Sequence, residues 1–245
     1  MLNTIAESIK SQVSERALNQ NPLTELALTA FFAGGHILLT GPTGLGKTHW
    51  ARTFTGALGI NFNHIHITDD ATPPHLSQDE NFTIATANSP LHLPKPLADR
   101  FMMHLSATYP GVAAEKQMLQ MHHVGELTVP PLHPICTTEI ISQAKQEVRD
   151  VGVEDAVFNY IISIVETTRR IGAVQEGASP RGSIALLMAA KARAAIKGRD
   201  YASLEDVQVL AQPVLAHRLT LKPEATREGM KPERVIESIL TGRRG

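Results

Sequence analysis

Apolar residues fall along this chain in two rhythms, and the rhythm changes near its middle. Residues 3–19 read as an amphipathic helix that ends near Asn19-Gln20-Asn21-Pro22. A second helix covers Leu23–Ala33, and Gly34-Gly35 supplies its stop signal. His36–Thr40 is a short apolar run, the mark of a buried strand. A helix over Lys47–Leu58 follows, closed by Gly59, and Phe62–Thr68 alternates like a strand. The stretch TDDATPPHLSQD reads as loop, and Phe82–Asn88 and Phe101–Ala107 read as two more strands.

After Tyr109-Pro110 helical periodicity takes over, with helices expected over Ala113–His122, Thr138–Val151, Glu154–Ile171, Arg181–Lys197, Leu204–His217 and Pro232–Leu240. Val129–Pro134, rich in proline, reads as a linker. The expected organisation is an α/β part at residues 1–109 and an all-helical part at residues 110–245. No internal repeat or low-complexity tract interrupts either part.

Composition narrows the class. With 42% hydrophobic and 19% charged residues over 245 positions, the chain has the make-up of an ordinary globular protein. A net charge of −1 gives no footprint for nucleic acid or an anionic membrane surface, so neither is expected as a partner. The single cysteine, Cys136, rules out an internal disulfide framework and suits a reducing compartment. The N-terminal segment lacks the apolar core of a signal peptide, and no run approaches the roughly 18 apolar residues of a membrane span. The expected location is the cytoplasm.

The chemistry is concentrated in one stretch, TGPTGLGKT. Gly41, Pro42, Thr43, Gly44, Leu45, Gly46, Lys47 and Thr48 satisfy the full phosphate-loop pattern, with a strand before it and a helix after it. Glycines let successive backbone N–H groups turn inward around phosphate oxygens, and the helix N-terminus adds a favourable dipole. Lys47 is expected to reach the β- and γ-phosphates, and the Thr48 hydroxyl to ligate Mg²⁺. ATP or GTP binding follows.

The flanks carry a resemblance. AGGHILLTGPTGLGKT, FTIATAN, LPKPLADRFMMHL and EGASPRGSIALLMAAKARAAIKGRDYASLEDVQVLAQPVLAHRL together resemble a MoxR-type AAA+ ATPase, from about residue 20 to the end. The resemblance implies a P-loop parallel sheet with helices, followed by an all-helical AAA+ lid. It implies ATP with Mg²⁺, a ring-shaped homo-oligomer, a partner with a von Willebrand factor A domain, and chaperone-like remodelling or maturation of partner proteins. By the same resemblance Asn88 is sensor 1, orienting the attacking water. Arg100 in LADRF is the arginine finger, acting on a neighbour's nucleotide. Arg181 in ASPRG is sensor 2, reaching the γ-phosphate from the lid. An arginine fork suits such roles because it matches phosphate oxygens and stabilises charge on a transferring phosphoryl group.

One part of the family pattern is missing from the sequence. The family places a Walker B strand, ending in the acids that hold Mg²⁺ and polarise water, between the LSQ-like and FTIATAN-like segments. Here only Asp79-Glu80 separates Gln78 from Asn81, so a central strand is expected to be lacking. Asp79-Glu80 is a poor substitute. It precedes a strand of about seven residues, which spans about 20 Å, so it falls at the edge opposite Asn88. Asp69 and Asp70 are the better candidates, because the alternating strand HIHIT leads straight into them. With the Walker B strand gone, HIHIT is expected to pair directly with FTIATAN. A loop cap before Thr72-Pro73-Pro74 is the competing use of the two acids.

Other signals are ordinary. His64 and His66 share a strand face but lack a third ligand, so they read as strand residues. His49 and Trp50 read as helix packing rather than base contacts, and MAAKARAAI as a helix-packing surface. Two functions therefore stand open: an ATPase that remodels partners, or an ATP-binding module or switch with little or no hydrolysis. The acids at the Walker B position discriminate between them.

Overall fold

In a computed structural model of the chain, residues 1–17, 20–67, 82–88, 95–123 and 132–242 are described below. The first part contains helices α1 (Leu2–Ser14) and α2 (Asn21–Phe32), strand β1 (His36–Thr40), helix α3 (Lys47–Leu58), strands β2 (Asn63–His66) and β3 (Thr83–Ala87), the short helix α4 (Lys95–Ala98) and strand β4 (Phe101–Ser106). The four strands are parallel in the order β2-β3-β1-β4. β2 pairs directly with β3, Asn63 opposite Thr83 and His66 opposite Thr86, as expected when no strand lies between them. The central strands β1 and β3 are buried on both faces, so the apolar residues of the sheet divide by alternation. Ile37, Leu39, Ile84, Met103 and Leu105 join the main core, whereas Leu38, Ala85, Ala87 and Phe101 form a second cluster with Ile67.

The second part holds α5 (Val112–His123), α6 (Thr138–Asp150), α7 (Asp155–Arg170), β5 (Val174–Glu176), α8 (Pro180–Ile196), α9 (Leu204–Leu215) with a 3-10 turn at Ala216–Arg218, β6 (Thr220–Leu221), α10 (Pro223–Arg227) and α11 (Pro232–Leu240). β5 and β6 form a two-stranded antiparallel ribbon. The pattern predicted neither this ribbon nor α4 and α10, all too short to establish a period. α8 is buried along most of its surface. Ala189, Ala190, Ala192, Ala194 and Ala195 are nearly inaccessible, which lets its neighbours approach closely and accounts for the alanine-rich run. The helix expected over residues 3–19 ends at Ser14, in a turn whose Ala17 N–H donates to Val13 O.

α1 joins the two parts. Its Leu2, Ala6, Ile9 and Val13 are buried, and it packs on α2, α3 and α8. Asn3 Nδ2 donates to Ile196 O at 2.8 Å, capping the end of α8. Among the described residues no helix is long and apolar enough to cross a membrane.

Candidate functional site

The phosphate loop lies where strand, turn and helix meet. β1 ends at Thr40, the loop follows, and α3 begins at Lys47 with Gly46 as its N-cap. Gly46 has φ of 71°, a left-handed conformation that a Cβ penalises. Gly41 is needed for space, since a Cβ there would sit 2.5 Å from Ala107 O. The Ala107 N–H donates to Thr40 O at 2.7 Å, so the end of β4 braces the start of the loop. Behind it, Thr40 Oγ1 and His104 Nε2 are hydrogen-bonded at 2.8 Å. Burial lowers the His104 pKa, partly opposed by Glu233, which favours the neutral ring.

Pro42, Thr43, Gly44, Gly46 and Thr48 are exposed and Leu45 is half-buried, whereas Lys47 is buried. Its ammonium donates to Gly41 O and Pro42 O, both at 2.8 Å, and to Asn88 Oδ1 at 3.2 Å. All three donors of the ammonium are thus occupied. The burial that confines Lys47 also lowers its pKa. Asn88 follows β3 directly, and β3 pairs with β1 with Ala87 opposite Thr40. The sheet therefore brings Lys47 and Asn88 together, 41 residues apart in the chain. Trp50 and Phe54 stack with centroids 5.3 Å apart inside the core, and the Trp50 indole N–H donates to Thr24 Oγ1. Trp50 packs the helix.

Arg100 and Arg181 occupy a second cluster. Arg100 sits with Asp99 in the turn between α4 and β4 and is exposed. Arg181 lies in the first turn of α8, its side chain 66% exposed, with Nη1 3.9 Å from Asp99 Oδ2. Arg218, to which the sequence reading assigned no role, is the buried member, 3% exposed and ion-paired with Asp99. Its signal was weak: one arginine at the end of a helical pattern. Asp69 and Asp70, like Asp79 and Glu80, lie outside the described residues.

A phosphate group fits the loop, which presents backbone donors at a helix N-terminus with a lysine inside. The metal side of the site is thinner. Thr48 offers a hydroxyl, and among the described residues no group of three or more His, Cys, Asp or Glu could hold a metal ion. The cavity of about 880 Å³ elsewhere in the molecule is bounded by α1, α2, α9 and the end of β4 at Ser106, and none of residues 41–48 lines it. The phosphate loop therefore defines the candidate site.

Comparison with known proteins bears on the family and the fold. A family profile described as an AAA lid domain matches residues 166–239, from α7 into α11. The chain is 25% identical to "Chaperone MoxR1" of Mycobacterium tuberculosis over 301 residues, covering 94% of this chain and 79% of that protein. These matches support the reading of the chain as a MoxR-type AAA+ ATPase. A second relative, YeaC of Bacillus subtilis, described as uncharacterized, is 29% identical over 279 residues, with 88% of this chain and 87% of that protein covered. A proposed ATPase from Cytophaga hutchinsonii has the same fold, with a TM-score of 0.84 at 23% identity over 98% of this chain and 94% of that one. Both sequence alignments are longer than the 245-residue chain itself, so these two relatives carry residues within the matched span that have no counterpart here.

Proposed function

We propose that this MoxR-type chain binds ATP with Mg²⁺ at Gly41–Thr48, and couples ATP hydrolysis to chaperone-like remodelling or maturation of partner proteins. The observation that carries the reading is the phosphate loop with Lys47 held inside it against Asn88. On nucleotide binding, Lys47 exchanges its carbonyl partners for β- and γ-phosphate oxygens. Asn88, released from the ammonium, orients the attacking water. Arg181 reaches the γ-phosphate from the lid, and Arg100 acts on nucleotide held by the next subunit of a homo-oligomeric ring. Thr48 would hold a Mg²⁺ ion bound with the nucleotide, which would supply charge neutralisation at the phosphates. Residues 1–109 form the N-terminal helices and P-loop core, and residues 110–245 the helical linker and lid. The partner is a protein with a von Willebrand factor A domain, and the setting the cytoplasm.

A second reading is favoured by the direct pairing of β2 with β3 and by relatives that carry extra residues. Both are expected of a chain without the Walker B strand. Such a chain binds ATP and switches or assembles, with little hydrolysis, unless Asp69 or Asp70 supplies the acid. β2 runs parallel to β3, toward the end that carries Asn88, and the Ile67 N–H donates to Thr86 O at 2.9 Å.

ATP affinity and steady-state phosphate release on one purified sample decide between these readings, with Lys47→Ala as control. Binding together with release that Lys47→Ala abolishes establishes the ATPase. Asp69→Asn with Asp70→Asn is then expected to reduce turnover and Mg²⁺-dependent affinity, and unchanged values exclude the two acids. Binding without release above the control establishes the module. Equal failure to bind by both proteins refutes nucleotide binding itself.

A further inference from the structure

One carboxylate, Asp99, meets three groups from the lid. Arg218 comes from the 3-10 turn after α9. Its Nη1 ion-pairs with Asp99 Oδ1 and also donates to Asp99 O at 3.0 Å. Its Nη2 donates to Phe101 O at 2.8 Å, and its Nε to Val214 O at 2.8 Å. A single guanidinium therefore grips the backbone carbonyls immediately before and after Arg100. His217 Nε2 lies 3.1 Å from the same Phe101 oxygen. This grip is buried. The second carboxylate oxygen faces the start of α8, where the Ser179 hydroxyl donates to Oδ2 at 3.5 Å and Arg181 Nη1 stands 3.9 Å away. That contact is long and open to water, so it is easily exchanged.

We infer that Asp99 is a positioning residue, anchored by Arg218, that holds Arg181 when the site lacks nucleotide and releases it to nucleotide. The inference rests on the assignment of Arg181 to the γ-phosphate and of Arg100 to the neighbouring subunit. The asymmetry of the carboxylate gives it direction. Oδ1 is committed to a buried cation, whereas Oδ2 is shared with an exposed one whose pairing is weak enough for phosphate to win. When Arg181 leaves, Oδ2 loses its cation while the Arg218 grip on the Arg100 backbone stays. The electrostatics at Arg100 therefore change with occupancy of the chain's own site. Asp99 links the state of one nucleotide site to the residue presented to the next.

Titration of the full chain with MgATP tests this, comparing Asp99→Asn, Arg181→Ala and the double variant. Asparagine keeps an oxygen for Arg218 and removes the charge that holds Arg181. Asp99→Asn is expected to tighten MgATP binding roughly two- to five-fold, the range set by an exposed ion pair, and the gain is expected to vanish in the Arg181→Ala background. A purely structural role for Asp99 predicts weaker binding or an equal change in both backgrounds, and either result overturns the inference. Should Asp99→Asn fail to fold, hydrogen exchange supplies the test in stable proteins. Saturating MgATP is expected to alter exchange at the Arg100 and Phe101 amides in the unaltered chain and not in Arg181→Ala, and the same response in both overturns it. If the unaltered chain binds no MgATP and behaves like Lys47→Ala, the functional reading falls and the inference with it. Binding combined with an additive cycle overturns the inference alone.

Discussion

At the scale of single residues, the polar groups that matter are the buried ones. Asp206, in the first turn of α9, is fully buried, yet it accepts hydrogen bonds from Arg193, Arg199, the Ser203 N–H and the Ser203 hydroxyl. Burial alone would raise its pKa. The hydrogen bonds from Arg199, Ser203 and Arg193 outweigh that and lower it from 3.8 to about 2. The Ser203–Asp206 pair also forms a capping box, so one carboxylate both starts α9 and ties it to α8. Because the folded pKa lies below the unfolded one, the contribution is complete above the unfolded pKa and is lost as pH falls through the folded one. Asp206→Asn is expected to lower unfolding free energy at pH 7 by about 2 kcal/mol, measured by urea titration. The gap from the unaltered chain should narrow as pH falls from about 4 through about 2. Only the Ser203-x-x-Asp206 spacing hinted at this cluster, since a pattern of charges does not say which are buried.

At the scale of elements, the glycine loop was the most legible feature. β1, α3 and α11 lie at their predicted bounds, because each has clear punctuation at both ends. The loop depends on its neighbour β4 as much as on its own residues. Gly41→Ala would place a methyl group 2.5 Å from Ala107 O, a contact that neither backbone can accommodate without moving. That substitution is expected to weaken MgATP binding at least ten-fold and to cost about 2 kcal/mol of stability, read by calorimetric titration and thermal unfolding. The reason for Gly41 was only half readable in the sequence. The motif demands a glycine for phosphate approach, but its crowding by Ala107 exists only because β4 pairs with β1.

Across the whole molecule, the N-terminal helix fastens the sheet part to the helical part. Ile9 is fully buried in a core cluster that also holds Phe54 of α3 and Leu186 of α8. Ile9→Ala is expected to destabilise the protein by about 3 kcal/mol, through lost transfer energy and a cavity. Circular dichroism and tryptophan fluorescence report this independently. Trp50 is the sole tryptophan and lies in the same core, so its transition should move together with the helical signal. The direct β2–β3 ladder is open to a similar check. The Ile67 amide, bonded to Thr86 O, is expected to exchange with solvent at least ten-fold more slowly than the amide of the exposed residue Gly111.

The sequence by itself determined what is local. Periodicity set the helices and strands, the glycines and Lys47 set a phosphate loop between β1 and α3, and the HIHIT and FTIATAN strands were recognisable as partners once nothing stood between them. These features depend on residues a few positions apart, whose backbone preferences and side-chain spacing act before any fold exists. Tertiary structure alone decided what is shared across the chain. It brought Lys47 to Asn88, sent Trp50 into the core, and buried Arg218 against a turn 119 residues away. It also placed one carboxylate between Arg218 and Arg181. Such contacts follow from strand order and from how the lid lies on β4, and burial then sets which charges hold each other firmly and which can exchange.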